Sequence, residues 1–215
     1  MKKYELTDET KDVDGLILHR IRALRDFGDV HNGDLGGWIE SESNLSQDGK
    51  CWVSCNAEVY GNAEVHDNAW VSGNAKVYDD AWVGGNAWVD GDAWICENAE
   101  VSGNAKVYDD AWVGGDAEVY GDAEVYGVAE VYGDAHIVTN ADYAVYKDPW
   151  SSGWWLTYTR SNKKWAVGFF YGTGRELIAK AYSDSPYKGA CYEAVVKLQE
   201  RLDELHDAHK KEGAK

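Results

Sequence analysis

The 215-residue chain carries 38 acidic against 21 basic side chains, a net charge of −17, and 44% hydrophobic residues drawn mostly from Ala, Val, Trp and Tyr. No apolar run approaches the roughly 18 residues of a membrane span, and no apolar stretch follows the opening lysines, so a soluble, cytoplasmic protein is expected. Charge is uneven, with net −4 over residues 1–43, −16 over 44–142 and +3 over 143–215, so the acidic middle repels nucleic acid and anionic membranes.

Residues 1–43 read as an N-terminal β-hairpin cap. A strand is expected over Lys3 to Leu6 and another over Leu16 to Leu24, followed by the Gly-rich approach "GDLGGWIE" to the first repeat. The cap would cover an open sheet edge that otherwise invites end-to-end stacking. The run from His19 to Arg25 sets basic residues beside an acidic body, as a solvated strand face or an anion site. Cys51, Cys55, Cys96 and Cys191 make no disulfide framework in a chain of this size, and Cys51 with Cys55 lacks a second Cys or His pair. Neither a metal nor a cofactor is expected.

Residues 44–145 fall into six-residue frames with no insertion or deletion, for example Asn56-Ala57-Glu58-Val59-Tyr60-Gly61. The second position is almost always Ala and the fourth Val or Ile, from Val53 through Val89 and Ile95 to Ile137. The sixth and first positions are Gly, Asp or Asn, which tolerate left-handed backbone and bond their own turns. Two inward positions two apart, then a polar corner, describe a short strand and a bend. Such a strand cannot bury its Val alone, so neighbours must stack.

Begun at the aliphatic, the frame reads Val-x-Gly-Asn-Ala-x, which resembles the hexapeptide signature of left-handed parallel β-helices. The leading segment likewise resembles the N-terminus of small hexapeptide-repeat proteins of bacterial and phage or prophage genomes, often labelled predicted transferases. The resemblance implies a mainly β fold: a left-handed parallel β-helix of about five to six triangular coils, 18 residues each. It also implies a homotrimer packed along the prism faces.

Residues 18 apart share a face. One face reads Trp52, Trp70, Trp88, Lys106, Glu124; a second reads Glu58, Lys76, Trp94, Trp112, Glu130; a third reads Glu64, Trp82, Glu100, Glu118, His136. Indoles one coil apart lie about 4.8 Å from each other, close enough for an aromatic ladder. Trp52, Trp70, Trp88, Trp94 and Trp112 are therefore candidates for a subunit or partner surface. The phrase "VSGNAKVYDDAWVGG" occurs at 71–85 and again at 101–115. That offset is five frames and not a multiple of three, so the second copy starts on another face and reads as interchangeable scaffold.

The resemblance makes acyl transfer from acyl-CoA the alternative activity. Such enzymes place a general-base His on a loop that leaves the coils, and no loop interrupts these frames. His66 and His136 occupy ordinary slots four coils apart on one face, and the frames supply neither an oriented partner nor a pocket. His19 and His31 read as structural. No catalytic residue is assigned.

Residues 146–215 read as a ββα(α) module. Pro149-Trp150-Ser151-Ser152-Gly153 is a linker, and "WWLTYTR" with "WAVGFFY" around "SNKK" is a hairpin signature. A helix is expected near Arg175 and a second over Lys188 to Lys210, with Cys191, Ala194, Val195, Leu198, Leu202 and Leu205 at helical spacing. The "GTG" bend could hold a phosphate on free N–H groups. Trp154, Trp155, Tyr158, Arg160, Lys163, Lys164, Trp165 and Arg175 form a basic aromatic candidate patch.

Together these features read as a non-catalytic interaction protein, a rigid trimeric scaffold displaying the tail module. Its expected target is a host defence factor, were the chain phage-encoded, or a small anionic ligand such as a nucleotide. Direct nucleic-acid or membrane binding by the β-helix is not expected. A second alternative is a nucleic-acid mimic, because sixteen net charges over roughly 27 Å is about one per 1.7 Å, the axial density of duplex DNA.

Overall fold

A computed structural model describes residues 2–148 and 154–213; the linker expected at Pro149 to Gly153 lies outside them. The chain forms two compact units, Met1–Asp142 and Tyr143–Lys215.

The first unit is a parallel β-solenoid of about six turns. Two-residue rungs recur every six residues from Trp52–Val53 to His136–Ile137. Each rung pairs in parallel with the rung 18 residues on, so Trp70 lies opposite Trp88 and Val71 opposite Val89. Three sheets result, and they carry the three faces expected from the frames. Every rung's second residue and every preceding Ala is buried, so Val, Ile and Ala fill the prism, joined at its first coil by Leu45 and Cys51. Only short side chains fit that narrow interior at crystal-like density.

The corners explain the remaining letters. Sixth positions adopt left-handed backbone, with φ of 70° at Gly91 and 59° at Asp79. A Cβ on Gly91 would meet the Asp109 amide nitrogen at 2.7 Å, so the coil below leaves no room for one. First-position side chains hydrogen-bond down the stack. Asn68 donates to Asn86 at 3.1 Å, Asn86 to Asn104 at 3.0 Å and Asn104 to Asp122 at 2.9 Å. Asp80, Asp92 and Asp116 accept in the same way from Asn62, Asn74 and Asn98. The corner acids thus serve coil stacking.

The duplicated phrase lands on different faces. Lys76 sits beside Glu58 and over Trp94, whereas Lys106 sits on the next face and pairs with Glu124.

The cap comprises β1 (Tyr4–Val13), β2 (Leu16–Ala23) and β3 (Leu35–Ile39). β1 and β2 are antiparallel, β2 pairs with β3, and β3 runs parallel to the rung of Glu58. The hairpin therefore extends one solenoid sheet. Its basic run is engaged: the Arg20 guanidinium lies 5.2 Å from the Trp38 ring, and Arg22 meets Glu5 at 3.4 Å. At the other end Asn140 accepts from the Glu124 amide, and Asp142 accepts from the amides of Val138 and Thr139. The prism ends at Ile137, not at Val145, because residues 143–147 are a strand of the second unit.

That unit holds a four-stranded antiparallel sheet, Tyr143–Lys147, Trp155–Thr159, Lys164–Val167 and Phe170–Thr173, with helices α1 (Gly174–Asp184) and α2 (Pro186–Gly213). The expected hairpin is present, with Thr157 opposite Ala166; its outer strands were not legible. Leu156, Tyr158, Trp165, Leu177, Ala181, Tyr192 and Val196 form the core. α2 buries Tyr192, Val196, Gln199 and Asp203, and leaves Leu198, Leu202 and Leu205 exposed. The packed face is thus rotated from the leucine stripe because polar Gln199 and Asp203 bond within the core.

Candidate functional site

The tryptophans do not form one exposed stripe. Trp52 is 2% exposed, plugged under the cap against Tyr4 at 6.4 Å and Phe27 at 5.4 Å, both edge-on. Gly36 permits this, since a Cβ there would meet the Trp52 ring at 2.6 Å. Trp52 is corrected from a surface residue to a buried one, because the cap supplies apolar partners that the bare repeat lacks. Trp70 is half-buried and Trp88 is 48% exposed. Beside Trp88 lies a groove of about 250 Å³ lined by Trp88, Asp90, Gly91, Lys106, Tyr108 and Asp109. Ser72 braces it, donating to Asp90 at 2.7 Å and accepting from the Trp88 indole N–H at 3.4 Å.

The neighbouring face carries the more continuous aromatic run. Tyr60 stacks on Tyr78 with ring centroids 5.3 Å apart, and Tyr78, Trp94, Trp112 and Tyr132 follow edge-on at 6.1–6.4 Å. The two tyrosines stack flat, while the exposed Trp94 and Trp112 tilt by 61° to each other instead of forming a parallel ladder. The Trp112 indole donates to the buried Cys96 sulfur at 2.9 Å. Burial raises the Cys96 thiol above its ordinary range, against hydrogen bonds from Trp112 and Tyr78. Burial also pushes the Tyr60 phenol up to about 12.

The histidines have partners, contrary to the expectation from the frames. His66 Nε2 lies 2.6 Å from Glu64 and its ring stacks on Trp82, centroids 6.1 Å apart. His136 Nδ1 lies 2.9 Å from Glu118. Rungs 18 apart put Glu118 beside His136, and alternation puts Glu64 beside His66, so both pairs were readable from spacing. His19 Nδ1 faces the Thr7 carbonyl at 3.2 Å, a structural contact.

The proposed tail patch divides. Tyr158 and Trp165 are core residues, packed 5.0 Å apart. Tyr158 donates to Asp203, and burial followed by that bond raises its phenol well above its ordinary range. Arg160 approaches Asp203 at 3.5 Å. Tyr158, Trp165 and Lys163 border a cavity of about 340 Å³ whose other wall includes Glu200, Asp203, Glu204 and Asp207 of α2. The patch is therefore not uniformly basic, since α2 brings its carboxylates to it. Trp155 and Lys164 are half-buried; Trp154, Lys163 and Arg175 are exposed.

The "GTG" bend forms a capping box at the start of α1. Thr173 caps α1, accepting from the Glu176 amide, and donates through its own amide at 2.7 Å and hydroxyl at 2.8 Å to Glu176. Those bonds hold the Glu176 carboxylate below its ordinary range. Sequence reasoning missed Phe169, which projects fully exposed (105%) from the turn after Val167. Beside it lies a groove of about 200 Å³ that includes Trp154, Phe170, Lys180 and the ion-paired Asp184 and Lys188.

Among the described residues no helix is long and apolar enough to cross a membrane, and no cluster of three or more His, Cys, Asp or Glu could hold a metal ion. No family model matches the chain. A 74-residue stretch is 39% identical to a protein of Escherichia coli (strain K12) named uncharacterized acetyltransferase YdcK, covering 30% of this chain and 23% of that protein. The chain thus spans less than a quarter of that relative's length. Two-residue rungs that recur every six residues and stack 18 residues apart, together with that similarity, fit the hexapeptide-repeat β-helix pattern.

Proposed function

We propose that the chain is a non-catalytic binding protein, a rigid solenoid that carries a separate recognition module. The observation that supports this most is the unbroken run of rungs from Trp52 to Ile137. Catalytic hexapeptide-repeat sites are expected where a loop leaves the coils, and every outward side chain here occupies a repeat slot. The recognition end is the tail, where fully exposed Phe169 stands beside the groove of Trp154, Phe170 and two lysines. An exposed aromatic anchor beside Lys180 and the Asp184–Lys188 ion pair fits a protein surface with an apolar centre and a polar rim. Trp70 and Trp88 are the proposed subunit face of a trimer, and a host defence factor remains the proposed class of target. Nucleic-acid mimicry is less favoured, because Asp80, Asp92, Asp116 and Asp122 already accept hydrogen bonds from the Asn one coil earlier.

Affinity capture from bacterial lysate tests this, using the full-length chain and Phe169→Asp. The reading expects a protein held by the first and lost by the second. A partner held equally by both moves recognition off this tip, and no partner for either removes the reading.

A second reading, acyl transfer from acyl-CoA, is favoured by Glu64 and His66 over Trp82 and by the name of the Escherichia coli relative. A carboxylate-oriented imidazole can act as a general base, a role worth roughly 10²–10⁴-fold in rate. That reading expects thiol release from acetyl-CoA in the presence of an amine or hydroxyl acceptor, with a loss of that size in His66→Gln. Equal rates in the two proteins would remove His66 from it.

A further inference from the structure

Two buried nucleophiles meet where the cap joins the first coil, and neither reading of function uses them. Lys3 and Cys51 are both fully buried. The Lys3 amine lies 3.1 Å from the Cys51 sulfur, 2.9 Å from the Cys51 carbonyl and 3.1 Å from the Asp48 carbonyl. The Phe27 ring lies 5.3 Å away, and the charges of Arg25 and Asp48 also act on the amine. The polar partners of this amine are thus two carbonyls and a thiol. The chain around it is fixed as well: Gln47 accepts from the Lys3 amide at 2.7 Å, and the Tyr4 hydroxyl donates to the Leu45 carbonyl at 2.6 Å. The two side chains are held in contact from both ends.

We propose that Lys3 and Cys51 form an oxidation site at which amine and thiol are joined through one oxygen atom, an N–O–S bridge that fastens the cap to the first coil. The oxidant is a peroxide. One hydrogen peroxide inserts oxygen into the S–H bond, giving a sulfenic acid and one water. A second removes one hydrogen from the amine and the hydrogen of the S–OH group. The N–O bond forms and two waters leave. Overall, amine, thiol and two peroxides give the bridge and three waters, so the protein gains one oxygen and loses two hydrogens.

Burial favours this outcome over the usual oxidation products. It lowers the Lys3 amine from its ordinary range, which supplies the neutral lone pair; it also raises the Cys51 thiol, which slows the first oxidation and leaves that step to the adjacent base. The adjacent amine is the base that can take the thiol proton for the first step. Once a sulfenic acid forms, it is shielded from solvent thiols and its nearest nucleophile is Lys3. Cys55 is exposed to the oxidant and is therefore replaced in the test.

The test uses the full-length chain carrying Cys55→Ser, treated with hydrogen peroxide, quenched with catalase and measured unreduced by intact mass and peptide mapping. The proposal expects a gain of about 14 Da, one oxygen less two hydrogens, with the Lys3 and Cys51 peptides recovered as a single linked species. Dithiothreitol should return both peptides to their original masses. Backbone amides of β1 should exchange more slowly in the oxidised protein, because the bridge closes the loop between residues 3 and 51. Recovery of Cys51 as free thiol, sulfinic or sulfonic acid with Lys3 unlinked overturns the site. A bridge that leaves β1 exchange unchanged overturns its role as a latch. Because the mapping is done with Lys3 and Cys51 both intact, it does not depend on a cap variant folding; Cys51→Ser should abolish the mass gain.

Discussion

Trp52 and Trp88 occupy equivalent slots on one face, and their substitution by Ala should have very different costs. Trp52 is 2% exposed and held edge-on by Tyr4 and Phe27, whereas Trp88 is 48% exposed. Emptying the Trp52 site leaves a cavity between the cap and the first coil, and buried Trp→Ala changes cost about 3–5 kcal/mol. Trp88→Ala exposes no cavity and removes only half-buried apolar area, about 1–2 kcal/mol at 25 cal/mol per Å². Equilibrium urea unfolding followed by circular dichroism reads both. With a slope of about 2 kcal/mol/M, Trp52→Ala should lower the midpoint by roughly 1.5–2.5 M, and Trp88→Ala by less than about 1 M. Repeating the titration at tenfold higher protein separates assembly from folding. Equal midpoint shifts at both concentrations would refute the reasoning that the cap, rather than the repeat, sets the burial of this face.

Asn104→Asp should destabilise the solenoid by about 1–2 kcal/mol at neutral pH, because Asn104 donates to Asp122 at 2.9 Å and two carboxylates would then face each other. The cost should shrink as the pH falls toward 4, where one of the pair can protonate and donate; a loss independent of pH counts against the corner ladder. Glu176 has its carboxyl lowered from 4.5 by its bonds to Thr173. Its contribution to α1 is therefore complete above about 4.5 and lost as pH drops through the lower folded value. Helical ellipticity should show that acid loss in the wild type, and Glu176→Gln should flatten it. In α2, Val196→Gln should destabilise the tail module while Leu202→Gln leaves its midpoint within about 0.5 kcal/mol, since Val196 is buried and Leu202 is exposed; the reverse order would contradict the packed face.

What the sequence made legible follows from periodicity. The hexad predicts rung, corner and face, and the thirty-residue offset correctly places Lys76 and Lys106 on different sheets. Even the His136–Glu118 pair sits at the 18-residue spacing. Long-range packing was not legible. Nothing local announces that Phe27 and Tyr4 cover Trp52, or that Lys3 reaches Cys51 across 48 positions. In the tail, aromatic and basic letters suggested a surface, yet Tyr158 and Trp165 are the core because a small sheet needs large side chains against α1 and α2. The leucine stripe of α2 misled for the converse reason: Gln199 and Asp203 turn inward to satisfy Tyr146 and Tyr158, which fixes the helix rotation.

The claim that the solenoid serves as scaffold and not as catalyst is tested most directly by calorimetric titration of the full-length protein with acetyl-CoA. The account predicts no saturable heat up to millimolar ligand. A stoichiometric isotherm that weakens in His66→Gln would contradict it and establish the acyl-transfer reading.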